Sequence, residues 1–156
     1  MTFLYLVPII SSTCSLYFAW DQWFFMRIFL KKDIRAPADR LLTSYWQTFC
    51  PPAVTVVLSL ISVTSATSFG LVYTSSTLLR EKGSYNWFLA GGTLAIGHLV
   101  FAPAMMPILQ DLQDSNKDNP TKTLRNWVRV HGYRAATVDL ACWICCLVAT
   151  VKTIDA

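Results

Sequence analysis

Near the C-terminal end an apolar stretch, "NWVRVHGYRAATVDLACWICCLVATV", carries His131, Arg134 and Asp139. At 100° per residue, Trp127, His131, Arg134 and Val138 share one face of a helix, and Gly132, Ala135 and Asp139 share the adjoining face. Charge inside a membrane span is costly, so such side chains face a bundle interior and a partner. A neutral imidazole can take a proton near neutral pH when it sits in a low-dielectric pocket beside an orienting group. A guanidinium one turn away can hold the enolate or phenolate that the proton loss creates. His131 and Arg134 are therefore candidates for proton abstraction from an acidic, lipophilic carbon acid. The competing reading is structural: Arg129 and Arg134 reach headgroups, His131 bonds a carbonyl, and Asp139 pairs with another helix.

His98 is the second intramembrane histidine. It either faces the same cavity or is satisfied by a backbone carbonyl. With Met105 or Met106 it raises soft-metal binding, but two histidines and scattered methionines do not make a ligand set, and no metal is expected. "CWICC" contains a CxxC spacing among Cys142, Cys145 and Cys146. It lies on an apolar helix with no second pair, so buried packing thiols are the expectation. Ser-His-Asp arrangements, phosphate loops, GxGxxG and HExxH are all absent from the sequence.

These residues need a scaffold that is apolar almost throughout. The 156 residues are 54% hydrophobic and 14% charged, with mean hydropathy +0.42, against about 25% charged in a soluble domain. Four windows, roughly 3–20, 52–74, 87–109 and 130–151, approach the ~20 residues that cross a bilayer as a helix. The expected fold is all-α, an integral membrane four-helix up-down bundle. It forms a single transmembrane domain over 1–156, with spans at roughly 3–26, 50–74, 87–110 and 124–152. The first window lacks a basic leader and a cleavage site and reads as a retained span.

Basic residues set the expected topology. Arg27, Lys31, Lys32, Arg35 and Arg40 follow the first window, and Lys117, Lys122, Arg125 and Arg129 follow the third, against Arg80, Lys82 and Lys152 on the opposite side. The positive-inside rule then places both termini luminal or extracellular, in the endoplasmic reticulum or plasma membrane. The net charge of +4 is thus a topology signal, and no nucleic acid is expected as a partner. Trp20, Trp23, Trp46, Trp87 and Trp127 fall near window ends and are expected at the interfaces, with Trp143 deeper.

Local signals mark packing. Pro51-Pro52 should bend the second helix or reset its start, and Asn119-Pro120 should break the chain before a fourth helix capped by Thr123. Ser59, Ser62, Ser65 and Ser68, with Gly91, Gly92 and Gly97, allow close helix approach.

Three stretches carry a family resemblance: "YWQTFCPPAVTVVLSLIS", "FAPAMMP" and "LRNWVRVHGYRAA". The last matches Leu-x-x-Trp-x-x-x-His-x-x-Arg through Leu124, Trp127, His131 and Arg134. Together they resemble the anthrone oxygenase-like family, small four-helix membrane proteins of microbial aromatic polyketide pathways. The resemblance implies oxidation of an anthrone to an anthraquinone by molecular oxygen as co-substrate, with no flavin, haem or other cofactor. It implies that His131 removes the methylene proton, that Arg134 stabilises the anion and the peroxide that follows, and that Trp127 forms an aromatic wall. His98, Asp139 and Tyr133 join Trp127 as candidates for contacting the substrate.

One position departs from the family: its Thr-Asn pair after the proline closing helix three is replaced by Ile108-Leu109 after Pro107. The departure leaves open a divergent member that isomerises or cyclises another intermediate. It also leaves open a non-catalytic subunit docked on a pathway enzyme. The expected partners are a hydrophobic small molecule, the lipid bilayer, and either a second copy or a partner pathway enzyme.

Overall fold

The computed structural model describes residues 2–154, which form helices joined by short turns with no strand among them. Four helices are long and apolar enough to cross a membrane: α1 (Phe3–Leu30), α2 (Arg35–Thr74), α3 (Tyr85–Gln113) and α4 (Pro120–Ile154). They pack in a closed ring, α1 on α2, α2 on α3, α3 on α4 and α4 back on α1. The architecture is the expected all-α membrane bundle. Its outer surface carries large apolar side chains such as Ile10, Val63, Leu89, Ile144 and Val151. Lipid, not water, suits such a surface.

Apolar residues also form three interior clusters. The largest, at the end where α1 meets α2 and α3 meets α4, gathers Met26, Leu42, Trp46, Met105, Leu112, Leu124 and Trp127. Leu71, Leu79, Phe88 and Ala149 seal the opposite end, and Ala95, Cys142 and Cys146 lie between. All five cysteines are free thiols.

Several local expectations are revised. The second helix starts at Arg35 and runs unbroken through Pro51 and Pro52. Proline removes a helical N–H, yet the turns on either side are pinned by Trp46, Cys50 and Ala53, whose side chains are buried in the bundle. The fourth helix begins at Pro120, with Asn119 in the left-handed region (φ 56°), so Thr123 is not its cap. Proline at the first helical position is preorganised for a start. The cap comes from another helix: Thr121 N–H donates to Asp39 Oδ1 at 3.1 Å, while Arg35 Nε donates to Thr121 Oγ1 at 3.2 Å.

Of the serine stripe only Ser65 and Ser68 are buried, with Thr64 beside them; Ser59 and Ser62 face outward. The glycines do bring helices together. A Cβ on Gly91 would lie 2.8 Å from Cys146 Sγ on α4, and one on Gly92 would lie 3.0 Å from the Phe69 ring on α2.

Trp46 and Trp127 are 1% and 3% exposed, so they lie inside the bundle instead of at the interface. Trp143 is half-buried on the α1 side of α4, where its Nε1–H donates to Thr13 Oγ1 at 2.9 Å.

Candidate active site

Two irregular turns assemble the polar site. In α3 the α-helix ends at Gly97 and His98–Phe101 form a 3-10 turn, after which Pro103 opens a new α-helical segment. In α4 a π-turn covers Ala135–Asp139, marked by the Leu140 N–H bonding back to the Ala135 carbonyl. In a regular helix a residue five positions on sits about 140° around the axis. The wider i→i+5 turn instead brings Asp139 under Arg134. The adjoining face expected for Asp139 thus becomes the same face, and the π-turn is the reason.

The result is a continuous network across two helices and the backbone of a third. Arg134 Nε donates to Asp139 Oδ2 at 3.2 Å, and Arg134 Nη2 lies 3.2 Å from His131 Nδ1. A guanidinium has only donors, so His131 Nδ1 accepts and the ring proton sits on Nε2. That Nε2–H donates to the Ala19 carbonyl of α1 at 2.8 Å. The other carboxylate oxygen of Asp139 lies 2.9 Å from His98 Nδ1, which must carry a proton to donate to it. All four side chains are at least nine-tenths buried. Arg134 and Asp139 form an ion pair, and each also contacts one of the two imidazoles.

The network faces a cavity of about 260 Å³ between α2, α3 and α4. Its walls are apolar: Phe49, Ala53, Val57, Phe101, Ala102 and Met105. Trp127 stacks on His131 with ring centroids 4.3 Å apart, and Trp46 meets Trp127 edge-on at 5.1 Å. Its polar lining residues are Gln22, Cys50, His98, His131 and Arg134, with Trp46 and Trp127 among the aromatic ones. On its outer side the cavity is bordered by Val54, Leu58, Leu99 and Met106, each 41–51% exposed, so it opens between α2 and α3 toward the lipid.

The sequence-nominated residues divide cleanly. His131, Arg134, Trp127 and His98 line this cavity, and Asp139 ties two of them together from behind. Tyr133 does not reach it. That side chain is 65% exposed and lines a separate groove between α1 and α4, with Trp20, Trp23 and Trp143. Gln22 and Trp46 line the cavity without having been nominated. For Gln22 a signal existed: an amide on an apolar helix, one turn beyond Ala19. No cluster of three or more His, Cys, Asp or Glu able to hold a metal is found among the described residues.

The chain has relatives along most of its length. The chain is 24% identical over 150 residues to the probable epoxidase scpX of Mollisia scopiformis, covering 96% of this chain and 94% of that protein. It is 23% identical over 150 residues to the epoxidase pydX of an Acremonium species, covering 96% and 93%. It is 26% identical to the epoxidase gkaX of Penicillium citrinum, covering 94% and 92%. No protein-family model matches the chain, and no solved structure matches it significantly.

The chain is thus similar over nearly its whole length to three proteins named as epoxidases, one of them as a probable one.

The positions Leu124, Trp127, His131 and Arg134 all point inward. Leu124 is fully buried in the largest apolar cluster, and Trp127, His131 and Arg134 form one wall of the cavity. The motif is therefore a single helix face that builds core at its first position and chamber wall at the next three.

Proposed function

We propose that the chain oxidises a hydrophobic, polyketide-like intermediate that enters the cavity from the bilayer, using molecular oxygen and no organic cofactor or metal. The observation that carries this reading is the connected His131–Arg134–Asp139–His98 network at the edge of an otherwise largely apolar chamber. Such a site binds a flat, greasy molecule and orients it by a few polar contacts.

The chemistry starts with loss of a proton from an acidic carbon to a histidine of the network. Arg134 is the only fixed cation at the cavity wall, and it stabilises the resulting enolate or phenolate. The electron-rich anion then reduces oxygen and couples with it to a peroxide. Collapse of that peroxide at a methylene gives a ketone and water. In that route the substrate supplies all four electrons, and no external reductant is needed.

The names of the relatives favour a second outcome of the same first steps, an epoxide. The peroxide oxygen adds to a conjugated double bond of the same molecule, the O–O bond breaks, and an alkoxide leaves. One oxygen atom then sits in the epoxide and the other in the alcohol, again without an outside electron donor.

The test is comparative metabolite profiling of a producing strain that carries the wild-type chain, a deletion, or Arg134→Gln, with membrane abundance measured in parallel. Accumulation of an unoxidised precursor in the deletion and the variant, at normal variant abundance, supports the reading. Labelling the product under ¹⁸O₂ distinguishes the routes by the number of oxygen atoms incorporated. A variant that accumulates nothing at normal abundance assigns the chain an auxiliary role, as a membrane subunit of another pathway enzyme.

A further inference from the structure

The two imidazoles of the network are not equivalent. His131 has both nitrogens occupied: Nε2–H donates to the Ala19 carbonyl, and Nδ1 accepts from Arg134 Nη2. Its one lone pair already holds a donor, so it cannot accept a substrate proton without first breaking that contact. His98 is arranged the other way round. Its Nδ1–H is fixed on Asp139 Oδ1, and its Nε2 takes no hydrogen-bond partner among the described residues. Nor is that nitrogen among the side-chain polar atoms sealed inside the protein without a partner. Since the ring lines the cavity, Nε2 is the open basic position of the site.

Resting on the oxidative reading above, we infer that His98 is the general base, that Asp139 is its positioning residue, and that His131 serves to hold Arg134 against the developing anion. The Asp139–His98 pair has the logic of a base whose tautomer and orientation are set by a carboxylate on its far nitrogen. Proton transfer runs from the substrate carbon to His98 Nε2, leaving the electron pair on the substrate and a cationic imidazole beside the Asp139 carboxylate. Asp139 stabilises that cation without itself taking the proton. Arg134, anchored on one side by Asp139 and on the other by His131, is then aimed at the substrate oxygen. The roles follow from which lone pair is free.

A second small space of about 20 Å³ lies behind the dyad, lined by Ser12, Ser15, Thr64, His98 and Asp139. It has room for about one water and polar partners to hold it. That offers the captured proton a route away from the apolar chamber.

The experiment uses membranes of a host that supplies the precursor but lacks this chain. Into it are placed wild type, His98→Ala, His98→Gln, His131→Ala and Asp139→Asn. Conversion, membrane abundance and thermal unfolding of the solubilised chain are measured for each, with and without added imidazole. The expected result is a loss of about 10²–10⁴ in turnover for both His98 variants, the usual contribution of a general base. Imidazole, which fits the space vacated in His98→Ala, restores part of it.

His131→Ala lowers turnover, because Arg134 loses an anchor, and imidazole does not restore it; Asp139→Asn lowers kcat with little change in KM. Turnover that survives in both His98 variants while His131→Ala is inactive and rescued by imidazole overturns the assignment in favour of His131. Loss in the His98 variants that imidazole leaves unrestored, together with a lowered unfolding midpoint, marks His98 as structural and overturns it too. If the wild-type chain itself converts nothing, the oxidative reading fails first and takes this assignment with it.

Discussion

Arg134 and Asp139 stand five residues apart on one helix, yet Nε of the arginine lies 3.2 Å from Oδ2 of the aspartate. Only the π-turn between them makes that contact, and the contact fixes both the guanidinium and, through the other oxygen, His98. Much of the site's behaviour follows from this pair.

Removing the carboxylate strands a buried cation. Arg134 and Asp139 are each 7% exposed. Breaking a buried pair by removing one partner costs about 3–5 kcal/mol, so Asp139→Leu should unfold in detergent at clearly lower temperature than wild type. The paired change, Arg134→Met with Asp139→Leu, should recover most of that loss because no charge is left behind. A double variant as unstable as the single one would show that packing, not charge, governs the position.

Gly91 is a contact point between α3 and α4. A methyl there would lie 2.8 Å from Cys146 Sγ and must displace it. Overpacking of this kind costs about 1–3 kcal/mol. Gly91→Ala should be destabilising alone and much less so with Cys146→Ala, which a double-mutant cycle on thermal unfolding checks.

The start of α4 depends on a cap donated by α2. Asp39→Ala should cost about 0.5–2 kcal/mol, the range for losing a helix N-cap. Hydrogen exchange should quicken at Thr121, whose N–H loses its Asp39 partner. The opposite end of α4 should be unaffected.

Leu99 borders the cavity on its lipid side and is 42% exposed. Leu99→Trp should leave fold and abundance intact while raising KM, since the larger ring crowds the opening and leaves the buried polar network in place. An unchanged KM would place the entry elsewhere, and the groove beside Tyr133 would be the next route to test.

The broad design was readable from composition because a bilayer imposes one rule, a long apolar helix, that the four windows satisfy. The Leu124-Trp127-His131-Arg134 spacing marked a face of α4 that is buried in the structure. What stayed hidden depended on departures from regular geometry. A periodicity of 100° per residue cannot anticipate the π-turn, so Asp139 fell on the wrong face. A proline pair reads as a break, although the packed turns around Pro51 and Pro52 carry the helix through. Trp46 looked like an interface residue because it sits outside the apolar window; it is buried because α2 begins well before that window. Which imidazole nitrogen is free is a property of three-dimensional neighbours, and no linear spacing encodes it.

The lateral opening between α2 and α3, bordered by Val54, Leu58, Leu99 and Met106, changes what concentration means for a molecule that binds in the chamber. A substrate that arrives through the hydrocarbon is met at its mole fraction in the membrane, not at its amount per volume of buffer. Adding inert lipid at constant total substrate should therefore slow turnover by dilution in two dimensions. Molecular oxygen, which dissolves better in hydrocarbon than in water, would reach the chamber by the same door.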